Sequence, residues 1–268
     1  MGNVAQIVLI PFDRPNDERI AALVDGTTHV VNCVGILAER KAGDFAALQG
    51  ELPGRIARAA TAAGVRRVAH ISAIGADESS PSLYARTKAQ GEATLRQGFA
   101  PATILRPSIV IGPEDGFFNR FAAMARMSPV LPLIGGGNNR FQPVYVGDVA
   151  EAVMAGLTQP ETAGRTYELG GPRVYTMREL MAYMLQVIGR RRRLVTVPWG
   201  IATAMARSAE LLPVPPLTRD QVEMLKRDNV VAADAAGLVQ LGIMPTPLEG
   251  VVPGYLRQYG LGSRLPAG

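Results

Sequence analysis

RRVAHISAIGADESSPSLYARTKAQGEATLRQGFAPATILRPSIVIG, residues 66–112, is the stretch whose reading decides the fold. Arg66–Gly75 and Ala102–Gly112 are short apolar runs, the pattern of strands buried in a parallel sheet. Between them the sequence predicts a helix opening with Tyr84-x-x-x-Lys88. Residues four apart share a helix face, so Tyr84 and Lys88 are expected to point into one pocket. Ser72 ends the first strand, at the carboxyl edge where ligands of open α/β sheets gather. An ammonium lowers the pKa of a neighbouring phenol and binds ribose hydroxyls. Ser72, Tyr84 and Lys88 are therefore candidate catalytic residues, able to polarise a carbonyl and relay a proton beside a nicotinamide ring. With seven Tyr and only Lys41, Lys88 and Lys226 in the chain, chance supplies about 0.08 such spacings, so the motif is informative. The plain alternative is a solvated helix face.

Upstream, Gln6–Pro11 predicts a strand, Asp17–Val24 a short helix, and Thr28–Val34 a central strand, apolar almost throughout. Phe45–Ala63 reads as a long helix that Pro53 kinks or restarts and Gly64 ends. This alternation predicts an α/β, Rossmann-like, doubly wound parallel sheet. Such sheets open with a strand, a glycine-rich turn and a helix, the glycines letting the backbone approach a pyrophosphate. Only five residues precede Gln6, and Gly135-Gly136-Gly137 lies far downstream. The expectation is an N-terminally truncated sheet, with the natural start upstream of Met1 and the first βαβ unit absent.

Residues 1–112 are expected to form this core, and 113–268 a small α+β lobe and C-terminal helical region, with 141–170 contributing back to the core. Phe117–Ala125 reads as a helix, Met127–Asn139 as a mobile loop, and Phe141–Val146 and Thr166–Leu169 as strands. Asp148 opens a helix as an N-terminal charge. Thr176 and Glu179 make a capping box for Met177–Ile188. Helices are also predicted over Thr218–Leu225 and Leu248–Tyr259. Arg190–Arg193 is followed by the Trp199 segment, WGIATAMARSAELLPVPP, a solvated face or a stretch lying at a membrane interface.

The 268 residues, 47% hydrophobic, suffice for one large core plus a lobe. No run approaches the roughly 18 apolar residues of a transmembrane helix, and no basic n-region marks a signal peptide. The single cysteine, Cys33, excludes an internal disulfide and fits a reducing or matrix-like compartment. His29 and His70 lie in apolar strands without a Cys or carboxylate cluster and read as core residues, so no metal is expected. Net charge +5, from 25 Arg and three Lys, is too mild for a nucleic-acid footprint. It fits an acidic partner or an anionic membrane surface.

VVNCVGI (30–36), AHISAIGAD (69–77), YARTKAQGE (84–92), ILRPSIVIGPEDGFFNRFA (104–122) and QPVYVGDVAEAV (142–153) carry a resemblance. The chain resembles the atypical and extended short-chain dehydrogenase/reductases, and within them the nucleotide-binding accessory subunits of respiratory complex I. That resemblance implies a nicotinamide nucleotide, NADPH (NADP) rather than NAD, held as a structural element. It places Asp13 on the adenine amino group and Cys33, Val34 and Gly35 along the adenine ribose. Ser72, Tyr84, Lys88, Pro107, Ser108 and Val110 would line the same pocket. It implies other complex I subunits as partners, at the cytoplasmic face of a bacterial inner membrane or the mitochondrial matrix side. Two alternatives stay open: an active NAD(P)-dependent reductase, epimerase or dehydratase using Ser72, Tyr84 and Lys88, and a scaffold with a degenerate pocket.

Overall fold

A computed structural model describes residues 8–12, 16–212 and 215–260. Among the described residues the main sheet has four parallel strands in the order β1 (His29–Asn32), β2 (Arg67–Ile71), β3 (Thr103–Pro107) and β8 (Thr166–Leu169). Helices α1 (Asp17–Val24), α2 (Leu52–Ala62) and α3 (Leu83–Gly98) cover one face. Their core includes Ile20, Leu52, Ile56, Leu95, and Val68 and Ile104 of the sheet. Helix α5 (Val146–Thr158) covers the other face through Val149 and Ala152, against Leu105, Tyr167 and Leu169. Successive side chains alternate between faces, so Val68, His70 and Ser72 all turn toward α3 while Ala69 and Ile71 turn toward α5. The chain is thus a parallel, Rossmann-like α/β sheet with helices on both faces.

Three expectations change here. The described part of the Gln6–Pro11 run forms no strand: Val8, Leu9 and Ile10 are exposed and hydrogen-bond to no strand of the sheet. The run stops short of the open edge of the sheet, and its described residues pair with no strand. β1 is an edge strand among the described residues rather than a central one, with Val31 40% exposed. His29 accordingly faces solvent beside Thr28 Oγ1, whereas His70 is buried as expected.

Pro53 does restart its helix. Residues Ala46–Glu51 wind as a π-helix, the Leu52 N–H reaching back to Ala47 O, and α2 begins with Pro53 in its first turn. Proline has no N–H, so Gln49 O lacks the donor a regular α-helix would supply. Gly91 of α3 approaches that oxygen so closely that a Cβ would stand 1.9 Å from it. Gly54 against Thr94, and Gly98 against Ala57, extend the same close crossing, and Thr94 Oγ1 donates to Gly50 O at 2.9 Å. This seam of small residues sets the height of α3 over the sheet.

The second lobe is built on α4 (Phe118–Met127), α6 (Met177–Val187) and α9 (Leu248–Leu256) packed against β5 (Val130–Ile134). Met127–Asn139 is therefore not the expected loop: β5 pairs in parallel with β10 (Arg193–Val197), burying Leu131 and Leu133. The strand begins just after Pro129 and runs through Pro132 to Ile134. The predicted strand over Phe141–Val146 divides into β6 (Arg140–Phe141), antiparallel to β9 (Tyr175–Thr176), and β7 (Val144–Tyr145), parallel to β4 (Val110–Ile111). Helices α7 (Trp199–Ala209) and α8 (Arg219–Leu225) close the lobe. Trp199 packs over Gly135, where a Cβ would meet its ring at 2.0 Å, and joins Ile134, Val197 and Leu217. The indole is thus a packing residue of the lobe, not an outward anchor. The capping box expected at Thr176 forms, and a second one, Thr218 with Gln221, starts α8.

Candidate functional site

β1 delivers Asn32 and the Cys33–Gly35 turn to the carboxyl edge of the sheet, beside the first turns of α3. Lys88 Nζ, on a 4% exposed residue, donates to Ile71 O at 3.1 Å. A Cβ on Gly35 would stand 3.2 Å from that ammonium and 3.7 Å from Gln49 Oε1, so this turn opens directly onto both polar atoms. Tyr84 lies one helical turn earlier, its ring edge-on to Phe45 at 6.0 Å and its centroid 6.0 Å from Lys88 Nζ. The structure therefore brings together Cys33, Val34, Gly35, Tyr84 and Lys88.

Ser72 is held differently. Its hydroxyl donates to Glu92 Oε1 at 2.5 Å, and Glu92 receives Arg106 Nε at 2.8 Å and Nη2 at 2.6 Å. Arg106 also lies 3.7 Å from Glu168. Ser108 turns to the second lobe, its Oγ donating to Asn229 Oδ1 at 2.6 Å and Asn229 O at 2.9 Å. Pro107 is buried at the end of β3, and Val110 packs with the α5-side core. Asp13 lies outside the described residues.

The electrostatics follow from burial. Desolvation pulls the Lys88 ammonium down to about 8, against the opposing pull of Glu92 and Cys33. Burial first, and the Asp220 carboxylate second, push the Tyr84 phenol up to about 12. This corrects the expectation that Lys88 lowers Tyr84: at this separation the ammonium does not outweigh desolvation. Burial and Lys88 together hold the His70 imidazole near 3, with only the Asn32 backbone pulling the other way. Partial desolvation pushes the thiol of surface-exposed Cys33 up, with the Lys88 ammonium pulling the other way.

Sequence reading missed Gln49, His70, Glu92 and Asp220, and passed over the Asn32 side chain. Buried Gln49 Oε1, Asn32 Nδ2 and both ring nitrogens of His70 have no hydrogen-bond partner of standard geometry among the described residues. Unpaired buried polar atoms cost free energy unless something satisfies them. Gln49 Oε1 and Lys88 Nζ, facing Gly35 where no side chain intervenes, fit the hydroxyls of a ribose. Asn32, His70 and Glu92 lie within the runs 30–36, 69–77 and 84–92 that carry the resemblance; Gln49 sits on the π-helix, whose winding the apolar pattern does not reveal.

The family model described as "NAD dependent epimerase/dehydratase family" matches residues 3–170. The chain is 35% identical over 97% of its length to NADH dehydrogenase [ubiquinone] 1 alpha subcomplex subunit 9, mitochondrial, of Arabidopsis thaliana, covering 67% of that protein. It is 34% identical over 93% of its length to the protein of the same name in Rattus norvegicus, covering 66% of it. A third relative, the NADH-ubiquinone oxidoreductase 40 kDa subunit of Neurospora crassa, is 31% identical over 96% of the chain and 68% of that protein. The chain thus spans about two thirds of the length of the curated relatives it matches. Among solved structures, a dTDP-glucose 4,6-dehydratase from Streptomyces venezuelae with NAD and TYD bound superposes with a TM-score of 0.70 at 21% identity, over 92% of this chain and 78% of that one. That likeness bears on the fold alone. With more than half its length matched by the family model, and the parallel sheet and Tyr84–Lys88 helix in place, the chain belongs to the NAD dependent epimerase/dehydratase family.

Proposed function

We propose that this chain is a nucleotide-holding accessory subunit of a respiratory NADH:ubiquinone oxidoreductase, binding a nicotinamide nucleotide as part of its structure rather than turning it over. The relatives named above, aligned along nearly the whole chain, support the assembly. One observation supports holding over turnover: the Ser72 hydroxyl is engaged by the Glu92–Arg106 pair while the Tyr84 phenol is pushed up to about 12. A proton donor that far above neutrality, without a free serine beside it, is a weak general acid.

Lys88 Nζ, Tyr84, Gln49 and the Cys33–Gly35 turn are the residues that would hold the nucleotide. A bound NADPH brings a hydride donor to the site; here its contribution is stability through mass action. NADPH is preferred over NADH in this proposal on the strength of the resemblance. Among the described residues no helix is long and apolar enough to cross a membrane. The proposed location is peripheral, on the cytoplasmic face of a bacterial inner membrane or the matrix side of a mitochondrial one. Contact there would use exposed Arg191 and Arg193 together with outward Val195, Ile201 and Met205.

The test is co-purification from detergent-solubilised membranes with the large redox complex, followed by acid extraction of nucleotide. The expected result is co-migration with about one nicotinamide nucleotide per chain. Recovery of the protein only as a free species without nucleotide overturns the proposal. Hydride transfer that Tyr84→Phe abolishes would instead establish the reductase alternative.

A further inference from the structure

α3 carries Tyr84 and Lys88, so whatever fixes its N-terminus fixes the pocket. An α-helix leaves its first N–H groups without internal partners. Ser82 is the N-cap and accepts from Ala85 N at 3.3 Å. The two N–H groups before it are satisfied from another lobe: Asp220 Oδ1 accepts from Leu83 N at 2.5 Å, and Oδ2 from Tyr84 N at 3.2 Å. Oδ2 also receives the Ser82 hydroxyl at 2.9 Å. The contact spans 136 residues of sequence.

Asp220 is itself held. It stands in the first turn of α8, whose capping box fixes Thr218 and Gln221. Gln221 Nε2 donates to Leu37 O at 3.1 Å, just beyond the Cys33–Gly35 turn. Arg219 pairs with Glu210 at the end of α7 at 2.8 Å, and Arg227 pairs with Asp77 at 3.2 Å. One short helix therefore grips the α3 N-terminus and the loop after β1, the two elements between which Lys88 and Gly35 face each other.

We infer that Asp220 is the positioning residue of the nucleotide site: its carboxylate completes the cap of α3 and sets Tyr84 and Lys88 against the Cys33–Gly35 turn. The inference deepens the nucleotide-holding reading and rests on it for the identity of the ligand. A carboxylate at a helix N-terminus is also favoured by the helix dipole. The same negative charge lies near the Tyr84 phenol and opposes its ionisation.

Full-length wild type, Asp220→Asn and Asp220→Ala are compared by three measurements. Amide hydrogen exchange is followed over residues 82–88, NADPH binding by fluorescence titration, and Tyr84 ionisation by ultraviolet titration with Tyr84→Phe as the difference. Asp220→Ala is expected to speed exchange by about tenfold and weaken NADPH by a similar factor, since a lost cap is worth about one decade. Asn has one accepting oxygen where the carboxylate uses two, and its amide nitrogen would face an N–H donor, so Asp220→Asn is expected to fall between wild type and Asp220→Ala in both. In that variant the Tyr84 phenol titrates at lower pH than in wild type, a change a purely structural role would not produce. Wild-type exchange and wild-type NADPH affinity in Asp220→Ala overturn the inference, as does an unmoved Tyr84 titration in Asp220→Asn. If wild type binds no NADPH, the holding reading fails, and exchange and titration alone judge the positioning role.

Discussion

Replacing Lys88 by methionine is expected to stabilise the nucleotide-free protein while abolishing nucleotide binding. The ammonium is buried, and desolvation brings it from 10.5 to about 8, which corresponds to about 3 kcal/mol against its charged form near neutral pH. Methionine fills a similar volume without a charge. Loss of the hydrogen bond to Ile71 O costs about 1–2 kcal/mol in return. The net gain is about 1–2 kcal/mol, a rise in Tm of roughly 2–6 °C for a chain of this size. The pH dependence carries a definite sign. Because the folded pKa lies below the unfolded one, the unfolded chain binds more protons between about 8 and 10.5. Wild-type stability therefore gains on the variant as pH rises through that window, and the gap is fully open below pH 8. Saturating NADPH at about a hundred times its Kd should raise wild-type stability by about 2.7 kcal/mol and leave the variant unmoved. Chemical denaturation from pH 7 to 10, with and without NADPH, measures all of this. A variant less stable than wild type at pH 7, or a gap that does not narrow toward pH 10, refutes the reasoning.

Other expectations concern neighbouring parts of the same machinery. Gly35→Ala places a methyl group 3.2 Å from Lys88 Nζ in a backbone conformation that alanine accepts. NADPH affinity should fall at least about tenfold while Tm changes by less than about 3 °C, and unchanged affinity would remove Gly35 from the pocket. Glu92→Ala leaves Arg106 without its main partner and should cost about 3 kcal/mol in urea unfolding; a loss below about 1 kcal/mol would show the pair to be solvent-screened. Gly91→Ala drives a Cβ into Gln49 O and should cost about 3 kcal/mol or prevent folding, whereas a silent change would mean α3 can lift from the π-helix. Trp199→Ala uncovers Gly135 and Leu217 and should lower stability by about 3 kcal/mol without altering NADPH affinity.

The amino-acid sequence determined the features that depend on local chemistry. Tyr84-x-x-x-Lys88, the apolar runs around it, Asn16, Thr176 and Thr218 as helix caps, and Pro53 as a restart all act through neighbours a few residues away. Such features leave a periodicity or a spacing that can be read directly. Tertiary structure decided what depends on distant partners. Ser72 stands directly after the last residue of its strand, yet its hydroxyl donates to Glu92, itself paired with Arg106, and no spacing connects them. The Tyr84 phenol rises rather than falls because burial and Asp220 outweigh an ammonium one turn away. β5 becomes a strand only because β10 lies beside it, and Trp199 turns inward only because Gly135 leaves it room. Solvent exclusion and long-range hydrogen bonding are properties of the packed chain, so Tyr84, Lys88 and the Cys33–Gly35 turn could be named from sequence, while Gln49 and the charge states and partners around it could not.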